Sequence, residues 1–185
     1  MTAPWHLRKA VDALRSGGLI AYPTEAVWGL GCDPQNERAS LRLIGVKQRD
    51  WRKGLILIAA DFKQVEPYLH DPSRSALKRA QATWPGPTTW VFAASDYCPV
   101  WISGDQDSVA VRVTAHPIAR ALCQAFGGAI VSTSANRAGR DPALSATAAR
   151  LAFGDELAAL VPGPTGGRDR PSTIRHSASG LLLRR

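Results

Sequence analysis

The chain has 185 residues, 45% hydrophobic and 21% charged, proportions that suit one globular domain with a real core and exclude a disordered polypeptide. Twenty-three Lys and Arg against 15 Asp and Glu leave a net charge of +8, which favours nucleic acid, nucleotides or other phosphorylated partners. A generically basic surface is the alternative. Cys32, Cys98 and Cys123 show no CxxC spacing and cannot all pair, which argues for a reducing compartment and against a disulfide framework or a structural zinc. No stretch approaches the ~20 apolar residues of a membrane span, and the first residues carry no apolar signal core. A cytoplasmic location is expected.

Along the chain, Thr2 and Pro4 start a helix that presents Leu7, Val11 and Leu14 on one face and stops at Gly17-Gly18. "LIAY" (19–22) reads as a buried strand ending at Pro23. Asn36 caps a second helix through Leu41, Leu43, Ile44 and Val46. "LILIAA" (55–60) is the next strand, and Asp71-Pro72 opens another helix, which stops near "WPGPTT". "TWVFAA" and "SVAVRVT" are strand-like, His116-Pro117 begins a helix, "GAIVSTS" is a strand and "SATAARLAF" a helix. Two short strands follow, over 173–176 and 181–183. Strands and helices interleave with strand pairs toward the middle and end, which predicts an α/β fold with a mixed sheet. The segments 95–106, 137–144 and 163–172 are irregular; the last, rich in glycine and arginine, reads as a mobile lid over phosphates.

No GxxxxGK[ST], GxGxxG, GxSxG or HExxH pattern is present. The histidines at 6, 70, 116 and 176 lie at no metal-ligand spacing. Four clusters remain. "AYPTEAVWGLGCD" ends a buried strand in Thr24 and Glu25 and continues through Gly29 and Gly31, which suits a tight turn or a ligand's close approach. "VKQRDWRKG" holds four cations, Lys47, Arg49, Arg52 and Lys53, just before an apolar strand. On one continuous helix Lys47 and Arg49 would point roughly 200° apart, so joint use requires the helix to end between them. A planar Arg fork and a mobile Lys charge together suit a triphosphate. Arg112 interrupts an apolar strand and needs an anionic partner, either a structural carboxylate or a substrate's. Finally, "GGAIVSTSANRAG" empties into Ser132, Thr133, Ser134 and Asn136, where open α/β sheets bind ligands.

"AYPTEAVWGLGCD", "KQR", "KGLILI", "WPGPTTWVF", "SVAVRV", "HP", "VSTSAN" and "PSTI" occur here in the order found in YrdC-like proteins. The chain resembles that family over nearly its whole length, and within it the short bacterial threonylcarbamoyl-AMP synthases. The resemblance implies a single YrdC-like domain over 1–185, without the further C-terminal domain of the longer form. It also implies a twisted mixed sheet with flanking helices around a positively charged concave cavity. The implied reaction converts L-threonine, bicarbonate and ATP to threonylcarbamoyl-adenylate and pyrophosphate, for the N6-threonylcarbamoyl group of adenosine 37 (t6A37) in tRNAs reading ANN codons. ATP with Mg2+ would be substrate, with no tightly bound cofactor or protein-held metal, and the product would pass to a separate transferase system (TsaD with TsaB and TsaE).

By the same resemblance, Lys47 and Arg49 are the catalytic residues that face the nucleotide phosphates, joined in ATP binding by Ser108, Ser134 and Asn136. Thr24, Arg112, Ser132 and Ser172 would hold threonine. "RDWRKGL" is bulkier than the Pro-containing segment of many relatives, so the resemblance assigns no role to Arg52 and Lys53. Some members bind RNA, and a non-catalytic RNA-binding protein assisting rRNA or ribosome maturation is the alternative reading.

Overall fold

The computed structural model describes residues 4–184. In chain order the elements are α1 (Pro4–Arg15), β1 (Leu19–Pro23), β2 (Trp28–Gly31), α2 (Glu37–Lys47), β3 (Ile56–Ala59), α3 (Arg74–Gln81), β4 (Thr88–Ala93), α4 (Val100–Ser103), β5 (Ser108–Val113), α5 (Pro117–Phe126), β6 (Ile130–Val131), β7 (Thr133–Ser134), α6 (Ala146–Phe153), β8 (Leu157–Leu160), β9 (Thr173–His176) and β10 (Leu182–Arg184).

The expected mixed sheet is two sheets. One has the order β7-β2-β1-β8 and the other β10-β9-β4-β5-β3-β6. In the larger sheet parallel pairs (β3 with β5, β4 with β9) alternate with antiparallel ones; the smaller has one parallel pair, β1 with β8, beside two antiparallel ones. The "GAIVSTS" segment is the join. Its β6 half pairs with β3 in the larger sheet and its β7 half with β2 in the smaller. Between them, Ser132 donates its N–H to Ile56 O at 2.8 Å, and Val131 donates to Cys32 O at 3.0 Å.

Both faces of the central strands are covered. In β1, Leu19 and Ala21 enter one apolar cluster with α2, α3 and α6, while Ile20 and Tyr22 enter another with α1 and α5. β3 divides the same way, Leu57 and Ala59 against Ile58. The period of two explains why these runs read as continuously apolar: each strand needs a hydrophobic side chain on either face.

Several local expectations hold. Asn36 caps α2 by accepting from Ala39 N, and His116 caps α5 with Pro117 at its first position. Others change. Asp71 takes φ 31°, and the cap of α3 is Ser73, whose hydroxyl accepts from Ala76 N. The glycine-rich stretch read as either a tight turn or a ligand's close approach contains β2, and Gly31 is required there: a Cβ would lie 2.5 Å from Val131 O. β8 was not anticipated. The role expected of Thr2 lies outside the described residues. No helix among those described is long and apolar enough to cross a membrane.

Candidate active site

The helix α2 ends at Lys47 because Gln48 adopts the left-handed conformation, φ 53° and ψ 42°, and its N–H turns back to Ile44 and Gly45 carbonyls. The chain therefore changes direction between Lys47 and Arg49, as joint use of the two requires. Lys47 turns inward. Its Nζ donates to Ser134 O, to Asn136 O at 2.7 Å and to Asn136 Oδ1 at 3.2 Å, so three N–H donors meet three acceptors. Burial, then the Arg49 charge, lowers its pKa to about 8.

Around this lysine the Ser-x-Asn turn is knitted to the end of α2. Ser134 Oγ donates to Asn136 Oδ1 at 2.6 Å, Ala138 N donates to Lys47 O at 2.9 Å, and Arg137 Nη1 donates to Val46 O at 2.9 Å. The structure thus brings the Lys-x-Arg and Ser-x-Asn elements together, but with the ammonium supporting the turn from beneath.

A cavity of about 150 Å³ opens beside this turn. Thr24, Arg49, Arg112, Ser132, Ser134 and Ser172, all anticipated, line it, and so do four residues the sequence did not single out as ligands: Glu25, Trp28, Arg170 and Arg184. Four guanidiniums thus face one carboxylate. Lys47 and Asn136 lie behind the wall.

Arg49 is held by Gly54 O, which accepts from its Nε at 3.2 Å and its Nη2 at 3.0 Å. Partial burial lowers Arg49 against the opposing charge of Asp50, and partial burial, then the charges of Arg49 and Arg112, lowers Arg184. Arg184 Nη2 also donates to Ser172 O at 3.2 Å.

Arg112 sits on the β5 face opposite Val109 and Val111. Its Nη1 lies 3.0 Å from Glu25 Oε2, and both residues are buried. Burial alone would raise the Glu25 carboxyl, but Arg112, the Thr114 hydroxyl and backbone amides hold it below the usual value. Glu25 Oε1 accepts from Thr114 Oγ1 at 2.7 Å and Ala115 N at 3.2 Å. The structural carboxylate that Arg112 needed is therefore present, yet its Nε remains without a hydrogen-bond partner. Among the described residues, three buried side-chain polar atoms lack one: Glu25 Oε2 (apart from its ion pair), Trp28 Nε1 and Arg112 Nε. All three residues line the same cavity. Buried polar groups are normally satisfied, so such a convergence marks a place where a ligand completes the structure.

Two hydroxyls are engaged at the rim: Thr24 Oγ1 donates to Val27 O at 2.7 Å, and Ser172 Oγ accepts from Thr89 Oγ1 at 3.1 Å. Beneath them, burial keeps the Tyr22 phenol protonated, its hydroxyl donating to Val131 O at 3.2 Å.

A second chamber of about 390 Å³ shares Arg49, Leu55, Ile56 and Arg184 with the first. Its walls are Val91, Ile102, Ala110, Ile174 and Leu183, with Ser103, Gln106 and Ser108 as polar groups. Ser108, expected beside ATP, stands here and not with the other site residues. Lys53 lines this chamber too. The irregular segment 163–172 lies over the first cavity's edge, with Gly166 N donating to Thr24 O at 3.0 Å and Arg168 N to Glu25 O at 3.1 Å.

A cavity lined by four arginines and joined to a partly apolar chamber, set where two mixed sheets meet, defines the class: an α/β protein with a cationic cleft between its sheets. A family model for Sua5, YciO and YrdC proteins, described as telomere recombination, matches residues 12–185. A threonylcarbamoyl-AMP synthase of Halorhodospira halophila is 55% identical over 184 residues, covering 100% of this chain and 96% of its own. One of Coxiella burnetii is 48% identical over 178 residues, covering 96% of each. The crystal structure of P. abyssi Sua5 complexed with L-threonine superposes with a TM-score of 0.91 at 34% identity, over 97% of this chain and 54% of that one. The chain thus spans about half of that solved protein and nearly all of the two curated relatives. It belongs to the Sua5/YciO/YrdC family.

Proposed function

We infer that this protein is a threonylcarbamoyl-AMP synthase, a nucleotidyltransferase that makes threonylcarbamoyl-adenylate and pyrophosphate from L-threonine, bicarbonate and ATP. The observation that carries the reading is the cavity's chemistry. Buried donors of Arg112 and Trp28 stand unpartnered beside Arg49, Arg170 and Arg184, in a fold shared with a relative crystallised with threonine.

Threonine occupies the first cavity. Its carboxylate meets Arg112, whose charge Glu25 balances in the free protein, and Thr24, Ser132 and Ser172 supply short polar contacts. ATP spans the wall between the chambers. The adenosine takes the apolar chamber beside Ser108, and the triphosphate crosses Arg49 and Arg184 toward the Ser134 turn. Mg2+ arrives with ATP as its phosphate complex.

The chemistry follows from placement. The threonine amine attacks the carbon of CO2, giving up a proton to solvent, or of bicarbonate, releasing water, and forms the C–N bond of a carbamate. A carbamate oxygen then attacks the α-phosphorus in line as the α–β phosphoanhydride breaks and pyrophosphate leaves with the electron pair. Carbamate and triphosphate repel one another, and the arginines offset that repulsion where charge develops. Arg49 acts directly. Lys47 acts as a positioning residue through the Ser134–Asn136 turn. No covalent enzyme intermediate is needed.

The product serves t6A37 formation through the TsaD, TsaB and TsaE transferase system, in the cytoplasm, where the buried free cysteines stay reduced. Contact with tRNA or double-stranded RNA would use the exposed basic surface. A purely RNA-binding role is disfavoured because it requires no enclosed cavity with unpartnered buried donors. The test is pyrophosphate release with threonine against other amino acids, with and without bicarbonate. Release that depends on both supports the reading; release independent of any amino acid defeats it.

A further inference from the structure

We propose that His116 is a positioning residue that ties the strap of residues 161–172 to the start of α5 and thereby holds Arg170 and Ser172 against the cavity. The inference rests on that cavity being the threonine and nucleotide site.

His116 lies outside the cavity wall but touches both segments that shape it. A neutral imidazole has one donor and one acceptor nitrogen. Nδ1 accepts from Ala119 N at 3.4 Å as the cap of α5. The proton therefore sits on Nε2, which lies 3.2 Å from Pro164 O and donates to it. Just beyond Pro164, the Gly166 and Arg168 amides bond to Thr24 O and Glu25 O. Gly166 permits this approach, since a Cβ there would stand 2.9 Å from Glu25 O. The strap then delivers Arg170, Pro171 and Ser172 to the cavity wall. On its inner side, the His116 N–H donates to Thr114 Oγ1 at 3.2 Å, and that hydroxyl donates to Glu25 Oε1 at 2.7 Å. His116 thus couples the Glu25–Arg112 floor, through its backbone N–H, to the strap above it, through its ring.

The tautomer makes the cap of α5 sensitive to protonation. An imidazolium would present Nδ1–H to the Ala119 N–H, donor against donor, and the cap would be lost. Burial lowers His116 from the ordinary 6.5; Pro164 O and Glu25 act to raise it and Arg112 to lower it further. His6, from α1, lines the same outer groove. Because the folded value is depressed, the Ala119 cap is complete above pH 6.5 and is lost as pH falls through the lowered value, whereas the Nε2–H bond to Pro164 O is kept by the imidazolium.

The experiment is amide hydrogen exchange on the full chain, read as protection factors, beside steady-state kinetics, for wild type, His116→Asn and His116→Gln. Asn keeps a helix-cap acceptor but is too short to reach Pro164. Gln can set an amide N–H where the imidazole Nε2 stands. His116→Asn is expected to lower protection at Gly166 and Arg168 roughly three- to tenfold, the scale of one net hydrogen bond. It should raise the KM for threonine comparably with kcat little changed, and His116→Gln should restore most of both. Trp90 and Val111 in the β4–β5 ladder should keep their protection. Acidification should lower protection at Ala119 in wild type while the two strap amides stay protected, because the imidazolium keeps its Nε2–H on Pro164 O; neither site should respond in His116→Asn. Unchanged protection at Gly166 and Arg168 in His116→Asn would overturn the proposal, as would a loss shared equally by Trp90 and Val111. If the chain shows no threonine-dependent pyrophosphate release, the functional reading fails while the exchange result still decides the strap.

Discussion

Arg112 Nη1 and Glu25 Oε2 stand 3.0 Å apart in a buried pair that leaves Arg112 Nε free of any hydrogen bond. Such a pair is a poor source of net stability, because both charges have left water, but losing one partner strands the other. Glu25→Ala should therefore cost about 3–5 kcal/mol in urea unfolding. A loss below about 1 kcal/mol would mean that the pair behaves as a solvated one. The carboxyl is held below the ordinary 4.5, so its contribution is complete above that pH and is lost as pH falls through the lower folded value. Glu25→Gln should remove that acid-dependent limb.

Arg112→Lys keeps a cation for Glu25 but gives up the planar fork. Threonine affinity measured by calorimetry should fall about tenfold or more, the scale of one charge-assisted hydrogen bond, with stability close to wild type. Unchanged affinity would take Arg112 away from the substrate carboxylate.

Arg49 lines both chambers, which makes it the side chain best placed for the phosphates between them. Arg49→Ala should cut threonine- and bicarbonate-dependent pyrophosphate release by roughly a hundredfold, as expected for lost transition-state charge stabilisation. Near-normal turnover would show that the triphosphate runs elsewhere.

Lys47 titrates near pH 8. Below that value its three N–H groups match three oxygens; above it a lone pair faces a carbonyl and the Ser134–Asn136 turn loosens. Turnover should decline as pH rises through about 8. In Lys47→Met turnover should be low throughout, without that alkaline step. A wild-type profile flat across this range would separate Lys47 from the turn's function.

Ala110 lines the second chamber only. Ala110→Phe should abolish ATP binding in calorimetry and leave threonine binding nearly intact. Loss of both would indicate one undivided site.

Much of the local structure was legible because it depends on neighbours in the chain. Asn36 announces its helix, His116-Pro117 another, and the roughly 200° offset of Lys47 and Arg49 on a helix foretold the break that Gln48 makes. β2 was missed because Gly29 and Gly31 read as turn residues, their need for close packing against Tyr22 and Val131 being visible only across the sheet. β8 has too few residues, two of them alanine, to show a period. The single apparent strand "GAIVSTS" divides between two sheets because its partners, β3 and β2, lie far earlier in the chain.

The site was legible in kind more than in arrangement. Thr24, Arg49, Arg112, Ser132, Ser134 and Ser172 were expected and do line the cavity. Arg170 and Arg184 were not, since a loop arginine and a terminal one carry no periodic signal. Residue types and short spacings settled which segments bear charge, where helices begin and stop, and which family the motifs resemble. Folding settled which charges are already spent. Lys47 meets Ser134 across 87 positions, and Arg112 meets a glutamate from the β1–β2 connection. Whether a cation is consumed by the protein or left for a ligand depends on distances of a few ångströms between remote residues, which no local pattern encodes.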